Sequence, residues 1–169
     1  MLKSDLHTGE YLAHLLLKMM PSYMLALTIF LTSTAIASST GSAWGTVMIM
    51  MPLSIPMVIA YTPGSTPFAL ESIPLLYPIL GSMLSGAIAG GHISPISDST
   101  VMSSTSAGSY HLDHLTTQIP YILPAFIGTL AACFLSGLFA SYGIFAALGS
   151  LVTAIVITLG LLIFKNQNK

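Results

Sequence analysis

The chain has 169 residues, of which 54% are hydrophobic and only 5% charged, with four lysines, no arginine and a mean hydropathy of +0.86. A soluble globular domain carries roughly 25% charged residues, so this balance describes an integral membrane protein. The formal net charge of −1 and the absence of basic clusters exclude a nucleic-acid partner, and the single Cys133 excludes a disulfide framework or a cysteine-based metal site.

Residues 1–21 place Leu6, Leu12, Leu15, Leu16 and Met19 near helical spacing, with Asp5, Glu10, His14 and Lys18 elsewhere around the wheel. That pattern predicts an amphipathic helix lying at the membrane surface. Early acidic residues, and no short apolar core followed by a cleavage site, argue against a signal peptide. No charge occurs from Met19 to Leu70, and neither a charge nor a histidine from Leu115 to Phe164. Several spans of about 20 residues each therefore fit.

Residues 22–61 form two apolar arms joined by the small, hydroxyl-rich SSTGSAWGT at 38–46. Each arm is about 16 to 18 residues, near the lower limit for a crossing. The expectation is a re-entrant hairpin whose tip stops within the membrane, with two short full crossings as the alternative. Pro52 and Pro56 should bend the second arm. Trp44, beside Gly41 and Gly45, reads as a wedge packing the tip rather than as an interfacial anchor. The stretch 62–72, TPGSTPFALES, reads as a loop outside the hydrocarbon, with Glu71 in water or at the head groups.

Residues 74–107 are expected to form a broken helix. A first half runs from about Pro74 to Gly90, with Gly86 and Gly90 as a GxxxG packing pair. A second half covers 99–107, capped by Ser97, Asp98 or Ser99. The break and the second half lie in GGHISPISDSTVMSSTSAGS at 90–109, a polar island in apolar sequence. Pro95 removes a donor and disfavours helix at Ser94, and Gly90 and Gly91 loosen the turn before it. In lipid, ionisable side chains and unpaired backbone are costly, so such a stretch belongs in packed protein or against a wet cavity, and function is its default reading. The loop 109–118, SYHLDHLTTQ, should then surface. Two transmembrane helices follow at 119–141 and 143–164, turning at Ser141, Tyr142 and Gly143, with Lys165 and Lys169 holding the end at an interface. Two lysines on each face leave the positive-inside count tied.

Two stretches together resemble the NhaC-type Na+/H+ antiporter family of the ion-transporter superfamily. TGSAWGTVMIMMPLSIPM at 40–57 is similar to that family's T-G-S/T-S-W-G-T segment and the M-P-L/I-x-I-P arm after it. GGHISPISDSTVMSSTSAGSYHLDHLTTQIPY at 90–121 is similar to its G-D-H-x-S-P-I-S-D-T-T-x-x-S-S-T-x-A-G motif, followed by H-I/L-D-H and T-Q-I/L-P-Y. The resemblance implies an all-α integral membrane fold, half of an inverted-repeat secondary transporter with a re-entrant hairpin, a discontinuous helix and two further transmembrane helices. It implies the carboxy-terminal half only, because family members are generally more than twice as long. Such a half would be multi-pass, sit in the plasma membrane and be inactive without a complementary half or a homo-oligomer. Gly91 stands where the family motif usually has an acidic residue.

No cofactor is implied; Na+ and H+ are cargo. Sodium, a hard ion, prefers oxygen ligands, as calcium and magnesium do. Asp98, the hydroxyls of Ser94, Ser97, Ser99 and Thr100, and carbonyls freed by the helix break supply them, with Asp98 as the coupling carboxylate. Desolvation favours the protonated carboxyl and a bound cation the carboxylate, so one group can exchange a proton for a sodium ion. The alternative for Asp98 is a helix-capping acid with no transport role. His92 could tune protons or be a structural imidazole. Thr40, Ser42 and Thr46 at the hairpin tip are candidate ligands, against ordinary back-bonding to their own helix. His111, Asp113 and His114 suit solvation or pH sensing better than zinc, and no nucleophile elbow points to an enzyme. Two other functions stay open: a sodium-coupled organic-anion transporter half, and a non-transporting membrane module or remnant.

Overall fold

Helices make up nearly all of the described chain, residues 21–60, 75–142 and 144–167 of a computed structural model, and no strand occurs among them. The arm expected over 1–21, Pro21 apart, and the loop expected over 62–72 lie outside the described residues. Six α-helices run in order: α1 Ser22–Thr40, α2 Ala43–Ala60, α3 Leu76–Ile93, α4 Asp98–Ser106, α5 His111–Leu138 and α6 Ile144–Gln167, with a 3-10 turn at Ala140–Tyr142 before the last. Among the described residues α1, α5 and α6 are long and apolar enough to cross a membrane. The pair α3 and α4, bent by 48° at its break, adds a fourth when counted as one span. The protein is a multi-pass membrane protein.

Each boundary has a local cause. Pro21, extended at φ −71°, opens α1, and Gly41 closes it in the left-handed region at φ 71° while its N–H donates to the Ala37 carbonyl. At 19 residues α1 has the length of a full crossing, longer than the arm expected from sequence, whereas α2 falls short of one. Ser42 caps α2 by accepting the Gly45 N–H at 3.1 Å. Pro52 and Pro56 both lie inside α2, and Ser54, fully buried between them, donates to the Met50 carbonyl at 2.8 Å.

The break falls later than the glycines suggest. Gly90 and Gly91 are helical and buried, and α3 continues to Ile93. Pro95, not the glycine pair, sets the stop, because it bars helix at the residue before it, and Ser94 is extended at ψ 129°. The glycines serve packing instead: a Cβ on Gly90 would lie 2.7 Å from Ala37 Cβ, and one on Gly86 3.0 Å from Ser33 Cβ. α1 and α3 thus touch backbone to backbone, as small-residue membrane seams do. Leu25 and Ile29 of α1, Met50, Met57 and Val58 of α2, and Ile79 and Met83 of α3 complete one core.

α4 ends in a Schellman motif. Gly108 takes φ 62°, its N–H donates to Thr105, and the Ser109 N–H reaches back to Ser104. Nothing lies within 4 Å of a Cβ built there, so Gly108→Ala should cost only the left-handed backbone penalty, about 1 kcal/mol. A thermal unfolding midpoint in detergent measures it; no change would mean the turn tolerates another geometry.

The segment 109–118, expected as a surface loop, is helical from His111, and α5 is 28 residues long instead of beginning at 119. HLDHLTTQ holds neither glycine nor proline, and Asp113 sits in the first turn, where the helix dipole favours an acid. Pro120 and Pro124 are carried inside α5. Pro124 cannot donate to the Pro120 carbonyl, and the Lys165 ammonium of α6 does so at 2.8 Å, lying 4.7 Å from the Tyr121 ring centre. Trp44, expected as a buried wedge, is 79% exposed. The tip is packed by Gly41 instead: a Cβ there would lie 2.6 Å from the Ile96 carbonyl oxygen, which leaves no room for an indole.

Candidate functional site

The hairpin tip and the helix break meet. Gly41 abuts Ile96, the middle of the unwound segment between α3 and α4. Two chain interruptions are therefore apposed, and each frees backbone groups from the helix ladder.

In α3 the Gly91 carbonyl should accept from residue 95, but Pro95 has no N–H. The Gly91 oxygen is released and, among the described residues, meets the Thr100 hydroxyl at 3.5 Å, the outer limit for a hydrogen bond. Thr100 is 1% exposed and Ser97 1% exposed. Ser97 holds the N-cap position of α4 with no side-chain capping bond; its hydroxyl lies 2.9 Å from Ser99 Oγ and 3.5 Å from Asp98 Oδ1. The released carbonyl with the buried Thr100 hydroxyl, and the buried Ser97 hydroxyl with Ser99 and the Asp98 carboxylate, are two hydrogen-bonded sets of oxygens at one break, and oxygen is the donor a hard monovalent cation prefers. The negative end of the α3 dipole faces the same break.

Of the residues singled out from sequence, Ser97, Asp98, Ser99 and Thr100 are brought together. Ser94 is fully buried but accepts the Ile96 N–H at 3.3 Å, within its own turn. Asp98 is exposed in this chain and its Oδ1 accepts the Ser99 N–H at 2.8 Å. His92 is exposed, with Nδ1 3.4 Å from Gln118 Nε2 of α5. At the tip, Thr40 donates to Ile36 at 2.8 Å, Thr46 donates to Ser42 at 2.8 Å, and Ser42 caps α2. The Thr40 and Thr46 hydroxyl hydrogens are spent locally, leaving them lone pairs to offer a ligand, while Ser42 spends a lone pair on the Gly45 N–H.

Carbonyls freed by the break were expected from sequence but assigned to no residue; the Gly91 carbonyl could have been named by asking which oxygen each proline orphans at i−4, and two further features escaped sequence reasoning. Gly91 itself has space: a Cβ there would sit 3.7 Å from Ser97 Oγ and 3.8 Å from Ala43 Cβ, ordinary contacts. His111 and His114, read as loop residues, bond to the break and to α4: Nε2 of His111 donates to the Pro95 carbonyl, and Nε2 of His114 lies 2.8 Å from Ser103 Oγ.

A family model described as the Na+/H+ antiporter family matches residues 2–138. An uncharacterized protein of Haemophilus influenzae is 40% identical over 117 residues, which cover 69% of this chain. The matched segment is 21% of that relative, so the chain spans about a fifth of its length. No solved structure matches.

Proposed function

The chain belongs to the Na+/H+ antiporter family, and from that premise we propose that it is the carboxy-terminal half of an NhaC-type antiporter, exchanging Na+ for H+ across the plasma membrane when a complementary half is present. The observation that carries this reading is the pair of oxygen sets at the α3–α4 break: the released Gly91 carbonyl with buried Thr100, and buried Ser97 with Ser99 and Asp98. Such an arrangement suits exchange: the protonated carboxyl of Asp98 gives up its proton as a sodium ion enters, and takes one back as the ion leaves. Mutual exclusion at one carboxylate is the least an antiporter requires.

Exposure of Asp98 on this half is consistent with the reading. An ionisable side chain at membrane depth is tolerated against protein or water and not against lipid, and a second half with its own break would cover it. The re-entrant reading of α1 and α2 belongs to the same proposal. In everted vesicles from cells producing both halves, added sodium should collapse a respiration-driven pH gradient. No response, with both halves present in the membrane, would sink the proposal.

A further inference from the structure

We propose that His111 is a positioning residue for the cation site, fixing the unwound segment and α4 in one register against α5. The proposal rests on the sodium reading above. α4 needs such a device because it is nine residues long, shorter than the ~12–15 residues at which an isolated helix becomes marginally stable. It also has no apolar anchor. Its two large hydrophobic residues, Val101 and Met102, are exposed, and the residues it buries are Thr100 and Ser104. Polar ties must place it.

The His111 ring supplies two of them. A carbonyl can only accept, so Nε2 carries a hydrogen and donates it to the Pro95 oxygen, in the middle of the break. Nδ1, the accepting nitrogen of the neutral ring, lies 3.1 Å from Ser104 Oγ on the buried face of α4, and the single hydrogen of that hydroxyl is shared between Nδ1 and the Val101 carbonyl 2.9 Å away. From Asp98 to the second anchor point runs continuous helix, begun by the Val101 N–H donating to Ser97 at 2.9 Å. The arc so fixed is the one that carries Ser97, Asp98, Ser99 and Thr100. One turn further along α5, His114 repeats the contact through Ser103, whose hydroxyl donates to the Thr100 carbonyl at 3.1 Å. Holding α4 therefore holds the Thr100 hydroxyl against the released Gly91 carbonyl and the Ser97, Asp98 and Ser99 oxygens beside the break.

The test uses hydrogen–deuterium exchange on the chain assembled with its complementary half in lipid nanodiscs, with and without sodium, comparing wild type, His111→Leu and His111→Gln. Leucine fills much of the space with no polar atom; glutamine offers an N–H to Pro95 and an oxygen to Ser104. In His111→Leu, exchange across 98–106 without sodium should rise about tenfold, and the sodium concentration giving half-maximal protection of 94–106 should rise by a similar factor. His111→Gln should restore both to near wild type. Exchange unchanged in the leucine variant, glutamine behaving like leucine, or α1 loosening as much as α4 would each overturn the positioning role. Wild-type exchange that is indifferent to sodium, with α4 loosened only by leucine, would remove the sodium reading and leave the placement of α4 by His111 standing.

Discussion

Asp98→Asn should abolish sodium-driven collapse of the pH gradient in vesicles holding both halves, while the variant accumulates and unfolds within about 3 °C of wild type. The substitution keeps the shape of the side chain and its Oδ1, which accepts the Ser99 N–H at 2.8 Å, so the start of α4 keeps its local bonding. What is lost is the charge. An acid in the first turn of a helix is worth only about 0.3–1 kcal/mol, and less when exposed, as Asp98 is. A carboxylate that alternates between proton and sodium is different in kind, since an amide can hold neither a proton at neutral pH nor a net charge against a cation. Exchange that persists undiminished would take Asp98 out of the mechanism. Exchange that falls only in proportion to the amount of folded protein would reduce Asp98 to a helix-capping acid.

What the sequence revealed of this site follows from how local each cause is. Pro95 dictates a helix stop through sterics within two residues, so the broken helix and the hydroxyl run beyond it were legible before any coordinates. Gly90 was misread because a glycine's role depends on its neighbour in space: in an extended chain it loosens a turn, yet against α1 it permits contact with Thr34 and Ala37, whereas Gly91 is helical with ordinary room around it. The same blindness hid α5's early start. HLDHLTTQ is polar, and polarity suggested a loop, but its residues tolerate helix, and the contacts that draw His111 and His114 inward come from α4. Trp44 failed for the converse reason, as its neighbours in sequence are small while the tip's neighbour in space, the Ile96 backbone, leaves no cavity to fill.

The meeting of tip and break makes α1 part of the site although it supplies none of the clustered hydroxyls. Gly41 ends α1 against Ile96, and α1 is positioned along α3 by the glycine seam. A shift of α1 relative to α3 would therefore be transmitted to the unwound segment.

That coupling gives the second large effect, a comparison of one chemical change at two places on the same helix. Gly81→Ala and Gly90→Ala each add a methyl group to α3 and each gain up to about 1 kcal/mol of helix propensity. At Gly81 nothing lies within 4 Å of the new Cβ, so the variant should be as stable as wild type or slightly more so. At Gly90 the methyl would overlap the Thr34 carbonyl oxygen and lie 2.7 Å from Ala37 Cβ and 3.0 Å from the Ser38 nitrogen. Two of these atoms are α1 backbone, which cannot swing aside as a side chain can. Over-packing of this kind costs about 1–3 kcal/mol, so Gly90→Ala should unfold several degrees below Gly81→Ala in the same detergent. It should also raise the sodium concentration needed for exchange, because α1 moves and Gly41 with it. Equal unfolding midpoints for the two variants would mean that α1 and α3 are not in backbone contact, and the apposition of hairpin tip and helix break would lose its support.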